Sequence, residues 1–139
     1  MRAPDTAALK GLRDRAILGL LLGCGLRRAE LARLAVEHVQ MREARWVLVD
    51  LVGKGKRLRT VPVPAWTKLL LDTWTEAAGI QTGSLFRAVN KGGKLWGETI
   101  TEDVVWAITR EYGNRIGKAK LAPHDLRRYT ESRTMPNRY

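Results

Sequence analysis

The chain has little sulfur chemistry to offer. Its one cysteine, Cys24, stands inside an apolar stretch. No disulfide can form within the chain, and a small buried hydrophobe is the expected role. A reducing cytoplasm fits that usage. Long apolar runs are also missing. The longest, Ala16 to Gly25, has ten residues, and charges precede it every few positions. That excludes a membrane span there and does not fit a signal peptide. Metal ligands are scattered: Cys24, His38 and His124 stand far apart, and no carboxylate pair has ligand spacing. No metal and no cofactor is therefore expected. A serine or cysteine triad has no support. Gly53-Lys54-Gly55-Lys56 lacks the spacing of a phosphate-binding P-loop, and Gly92-Gly93 is too short a signal for a nucleotide site.

Acidic residues are the other shortage. Fourteen Asp and Glu face twenty-five Lys and Arg, a net charge of +11, with a pI near 10.5. A domain that basic usually meets a polyanion; DNA or RNA is the first candidate and an anionic membrane surface the second. Hydrophobic residues make up 45% and charged residues 28% of 139 residues, which suits one soluble globular domain with its own core. No repeat, low-complexity stretch or Pro/Ser-rich linker divides it.

The periodicities predict a mixed α+β fold, mostly helical, with a small antiparallel sheet. Asp5 or Thr6 can cap a helix carrying Leu9, Leu12, Ile17, Leu20 and Leu21, ended by Gly23 and Gly25. A short helix follows with Leu26, Leu31 and Leu34 inward and Arg28 and Arg33 outward. Arg45 to Val52 and Leu58 to Val63 read as strands of a hairpin over about 45–63, with two lysines at its tip. Pro64 suits the first turn of a helix to about Ala78, striped by Trp66, Leu69, Leu70 and Trp74 and stopped by Gly79. Ser84 to Val89 reads as a short extended piece and Asn90 to Lys94 as a loop. Thr99 and Glu102 form a capping box for a helix with Val104, Val105, Ile108 and Tyr112. Asn114 to Ala122 is basic and breaks the pattern, and Pro123 opens a last helix at His124.

Two arginines, two lysines and a histidine suit work on a phosphodiester. Arginine holds phosphate oxygens bidentately and does not lose its proton. Arg27 follows a Gly-Cys-Gly-Leu break where a helix begins, and Arg127 lies one helical turn after His124. Both arginines can equally be ordinary surface residues. His124 suits either a helix cap or a proton carrier near neutral pH. His38, between a helix and a strand, reads as structural or exposed. Lys54 and Lys56 can lie in a DNA groove or deliver a proton to a leaving oxygen.

Together these pieces resemble the catalytic domain of the tyrosine recombinases, the phage-integrase family. The resemblance rests on Gly25-Leu26-Arg27-Arg28-Ala29-Glu30-Leu31, on Lys54 followed by Arg59-Thr60-Val61-Pro62, and on His124-Asp125-Leu126-Arg127, in family order, from about Leu9 to Arg128. It implies that Arg27 and Arg127 hold the scissile phosphate. Lys54 would be general acid for the leaving 5′ oxygen, with Lys56 as the fallback, and His124 would assist the proton transfers. Glu30 would orient the site, and Lys56, Arg57 and Arg128 would contact DNA. The implied partner is double-stranded DNA, not a membrane, and full-length family members act as DNA-bound tetramers; this chain is expected to be a monomer. The family's nucleophilic tyrosine lies well beyond the second arginine, whereas Arg127 stands twelve residues before the final Tyr139. Tyr129 and Tyr139 do not match that spacing. The expectation is a single partial catalytic domain over 1–139, C-terminally truncated, without the nucleophile segment or the N-terminal DNA-clamping domain. A non-catalytic nucleic-acid-binding module is the alternative. An enzyme borrowing its tyrosine from a neighbouring copy is a third.

Overall fold

A computed structural model describes residues 8–90 and 92–115, with Lys54 and residues 113–115 described by their backbone alone. Helix α1 (Leu9–Cys24) is buried along nearly its whole circumference, from Gly11 and Arg13 to Leu21 and Cys24. A helix buried on nearly every side is central to the fold. It does not stop at Gly23. It runs to Cys24, and Gly25 closes it in the left-handed conformation (φ 66°) that glycine adopts without strain. A short helix α2 (Arg28–Ala32) follows at once. Leu26, Leu31 and Leu34 are fully buried around it, as their spacing predicts.

A single 3₁₀ turn over Val36–His38 leads into β1 (Val39–Arg42), β2 (Arg45–Val52) and β3 (Leu58–Pro62). They form one antiparallel sheet in the order β1-β2-β3. The predicted hairpin is present as β2 and β3. Strand β1 is an addition to the two-strand expectation. Its turn, Glu43-Ala44, has both residues at positive φ (51° and 64°). Two-residue hairpins favour that geometry, but their usual Asn-Gly signature is absent here. Between the pairs Leu48↔Val61 and Leu51↔Arg59 the register shifts. Val49 and Asp50 thus oppose Thr60 alone, a β-bulge with Asp50 at φ 58°.

Helix α3 (Ala65–Ala78) starts after Pro64 and is closed by Gly79 at φ 70°. Its buried residues are Thr67, Leu71 and Trp74. The expected stripe is therefore rotated: Trp66 and Leu69 are 51% and 66% exposed. The reason is the partner helix. Gly19 and Gly23 of α1 present a groove without side chains, in which Thr67 is buried with its hydroxyl near the Gly19 carbonyl (3.4 Å), while one edge of the Trp66 indole lies along the same glycines and the rest of the ring stays exposed. Residues 84–89 form no strand, only single bridges, Ala35↔Ser84 and Val89↔Leu95. Helix α4 (Glu102–Arg115) takes its cap from Thr101, whose hydroxyl accepts the Val104 N–H at 3.3 Å, not from Thr99. Val105, Ile108 and Tyr112 join the core, with Trp74 and Phe86 stacked 6.4 Å apart. Among the described residues no helix is long and apolar enough to cross a membrane. The last predicted helix at His124 lies outside the described residues.

Candidate functional site

The break between α1 and α2 places Arg27. Gly25 turns the chain, Leu26 anchors it in the core, and Arg27 is left exposed in an extended conformation (φ −85°, ψ 159°) as the N-cap of α2. Its backbone N–H donates to Glu30 Oε1 at 2.9 Å, one half of a capping box. Glu30 is otherwise committed to β3. Arg59 Nε donates to Glu30 Oε2 at 2.9 Å and Arg59 Nη2 to Oε1 at 2.7 Å, a bidentate pair. Arg59 shares the inward face of β3 with Val61, which turns it towards α2. Burial pushes the Glu30 carboxyl up, but the Arg59 guanidinium and the Arg27 N–H outweigh it and hold it below its ordinary value. Arg59 is shifted the opposite way by the same pair.

This node joins the base of the hairpin to the arginine at the helix start. Its consequence is positional: a buried carboxylate fixes the Arg27 main chain while the guanidinium stays exposed. Among the described residues that guanidinium forms no ion pair, although its charge acts on the nearby Glu30 carboxylate. At the end of α1, Cys24 is buried, and burial raises its thiol to about 12 despite the nearby Arg59. It is an inert packing residue, as expected.

At the far end of the hairpin, Lys54–Lys56 form a tight turn in which Gly55 and Lys56 take positive φ (72° and 62°). The Gly53 N–H donates to the Arg57 carbonyl at 2.7 Å, and Gly55 sits at φ 72° with open space around it. Lys56 and Arg57 are exposed there. Of the expected site residues, the structure thus brings Arg27 and Glu30 into contact and places Lys54, Lys56 and Arg57 on one tip. His124, Arg127 and Arg128 lie outside the described residues, and with them the convergence of the full set. His38 serves the fold, since its Nδ1 accepts the Ala35 N–H at 2.9 Å.

Sequence reasoning missed three features. One is Arg59 as the partner of Glu30. The second is a buried polar cluster between α1 and α4. Asp14, fully buried, accepts from Lys10 Nζ (2.8 Å), Arg13 Nε (3.0 Å) and the Tyr112 hydroxyl (2.9 Å). Arg13 reaches on to the Arg87 carbonyl at 3.2 Å. Burial and the Asp14 carboxylate push the Tyr112 phenol up to about 12. A hydroxyl committed in this way is structural. The available signal was an aspartate on the apolar face of α1, four residues after a lysine. The third is Trp106, which Arg28 and Arg110 both approach.

Among the described residues no group of His, Cys, Asp and Glu is arranged to hold a metal ion. A cleft of about 570 Å³ opens between α2 and the start of α4, lined among others by Ala29, Arg33, Ser84, Thr101 and Glu102. Neither Arg27 nor the hairpin tip borders it. The exposed cations stand on open surface, which suits a long polyanion better than an engulfed small molecule.

Known proteins share this fold. A profile of the phage integrase family matches residues 1–137. The chain is 31% identical over 133 residues to the tyrosine recombinase XerD of Neisseria meningitidis, covering 91% of this chain and 43% of that protein. It is 33% identical over 116 residues to the tyrosine recombinase XerA of Pyrococcus furiosus, covering 84% and 38%. The chain thus spans about two-fifths of the length of these relatives. A crystal structure of XerA recombinase superposes with a TM-score of 0.70 at 22% identity, covering 91% of this chain and 44% of that one. The XerH site-specific recombinase, solved with its difH substrate before cleavage, gives 0.66 at 21% identity, covering 94% and 36%. The four helices and three-stranded sheet are those of a tyrosine-recombinase catalytic domain, and the chain belongs to the phage integrase family of tyrosine recombinases.

Proposed function

We propose that this chain binds duplex DNA through its phosphates and supplies part of the phosphate-handling apparatus of a site-specific tyrosine recombinase, as one domain of the catalytic type. The observation that carries the reading is Arg27: its backbone is pinned by a buried carboxylate, and its guanidinium is exposed and in no ion pair among the described residues. A rigidly based, unpaired arginine suits the charge spread over a phosphodiester's non-bridging oxygens. In this reading Arg127 grips the same phosphate from the other side. Lys54 is the general acid for the 5′ oxygen, with Lys56 as the fallback, and His124 assists the proton transfers. Glu30 acts through Arg27 as a positioning residue. Lys56, Arg57 and Arg128 contact the DNA backbone. Family membership supports these roles, and so does the XerH neighbour, solved on its DNA substrate.

Duplex binding measured from 50 to 200 mM salt tests the reading. The affinity is expected to fall steeply, with a log–log slope of about −0.9 per neutralised phosphate. Arg27→Ala and Arg127→Ala should each weaken binding and flatten the slope. Unchanged affinity in both variants removes the phosphate grip. A nicked suicide duplex tests cleavage separately, and no covalent adduct is expected from this chain. Tyr112 is hydrogen-bonded to Asp14, and Tyr129 and Tyr139 do not stand at the family's spacing after Arg127. A trapped adduct would assign the nucleophile to one of them.

A further inference from the structure

Trp106 on α4 is flanked by two cations. The Arg28 guanidinium carbon lies 5.2 Å from the centre of its rings and that of Arg110 5.8 Å. Arg28 opens α2, next to the exposed Arg27; Arg110 stands one turn after Trp106 on α4. Neither arginine has an acidic partner among the described residues. Asp103 stands one turn before Trp106, yet it forms no ion pair with either.

Two like charges gathered at one indole repel each other, and each is held by the ring. Such an arrangement is most favourable when an anion joins it. The geometry leaves the means to bind one. An arginine held at a ring face keeps its in-plane N–H donors free, and those donors match the oxygens of a phosphate. Trp106 is half-buried at the seam of α2 and α4, Arg28 is half-buried and Arg110 exposed, so the donors open to the surface.

We propose that Arg28, Trp106 and Arg110 form a second anion site, which takes a backbone phosphate of duplex DNA beside the one gripped by Arg27. The indole sets the direction of both guanidinium groups and thereby joins α4 to the DNA. This site rests on the proposed DNA-binding role. Its ligand is a phosphodiester, and no base edge is read.

The test uses the full chain and a random-sequence duplex. Arg110→Ala and Arg28→Gln should each lower affinity and flatten the log–log salt slope by about 0.9, one phosphate's worth. Trp106→Leu keeps both charges but removes the ring, and should flatten the slope by a similar amount. Trp106→Tyr, which keeps a π face, should retain most of it. Arg42→Ala, at the β1–β2 turn, serves as the reference for losing one positive charge. The inference is overturned if Arg110→Ala flattens the slope no more than Arg42→Ala. It is also overturned if Trp106→Leu lowers the melting temperature and leaves the slope unchanged, because the ring is then packing alone. If the unaltered chain shows no salt-dependent binding at all, the DNA-binding reading fails together with this one. If binding persists and only these variants are silent, this inference alone fails.

Discussion

Glu30 is buried, and its two oxygens hold both the Arg27 N–H and the Arg59 guanidinium. Removing Arg59 would strand a buried carboxylate. Arg59→Ala is expected to cost about 2 kcal/mol at neutral pH, less than for a fully buried pair because part of the guanidinium is in water. Arg59→Lys keeps the charge but loses the fork, and should fall between. The pH dependence has a definite sign. The unfolded chain binds the Glu30 proton near the ordinary value, about pH 4.3, and the folded chain only at lower pH. Between those values the unfolded state holds more protons, so stability rises with pH. The contribution is complete above about pH 4.3 and is lost as the pH falls through the folded value. The gap in melting temperature between the unaltered chain and Glu30→Gln should therefore be constant near neutrality and narrow in acid below that point. A gap that does not narrow would remove the carboxylate from this role.

Helix α3 lies against α1 where glycines leave room. A Cβ added at Gly23 would run into the Thr67 hydroxyl and stand 3.2 Å from the Trp66 ring. At Gly19 the nearest atom would be the Leu70 methyl at 2.9 Å, the far end of a flexible side chain. Gly23→Ala should therefore destabilise by about 1–3 kcal/mol through forced displacement of α3. Gly19→Ala should be near neutral, because the gain in helix propensity, about 1 kcal/mol, offsets the shift of Leu70. Chemical denaturation of the two variants separates the cases, and equal effects would contradict the close crossing. The same crossing explains what the sequence hides. Its apolar positions reveal that α3 exists, and Gly79 marks its end, but the facing glycines let Thr67 be buried at the crossing while Trp66 lays only one edge of its ring there. Strand β1 is hidden for a different reason: Glu43-Ala44 makes a positive-φ turn without a turn signature. The β2–β3 hairpin is legible because β-branched runs flank two glycines. Of the candidate site, the Gly-Leu-Arg-x-x-Glu spacing is legible, since one helical turn separates a cap from its carboxylate. The Glu30–Arg59 pair is not, because it joins positions 29 residues apart through the tertiary fold.

Across the whole molecule, the net charge of +11 acts against folding and in favour of binding. The described ion pairs neutralise little of the excess. Arg27, Arg33, Arg42, Arg45, Lys56, Arg57 and Arg110 are exposed, and no described ion pair includes any of them. Their mutual repulsion disfavours the compact state, and salt screens it within a Debye length of about 10 Å at 0.1 M. Duplex DNA relieves the same repulsion by supplying phosphates, and a ligand of the native state raises the melting temperature by mass action. Salt weakens that effect, because counterions compete for the phosphates. Two opposite trends are therefore expected in thermal melts from 50 to 300 mM salt. The free chain should become more stable as salt is added. The extra stability conferred by a fixed concentration of duplex should shrink over the same range, so that the two melting curves converge from different starting points. A free chain that salt does not stabilise would mean that the excess charge is already dispersed enough to be harmless. A DNA-induced shift that survives 300 mM salt would mean that base contacts or apolar burial, not phosphate contacts, dominate the complex.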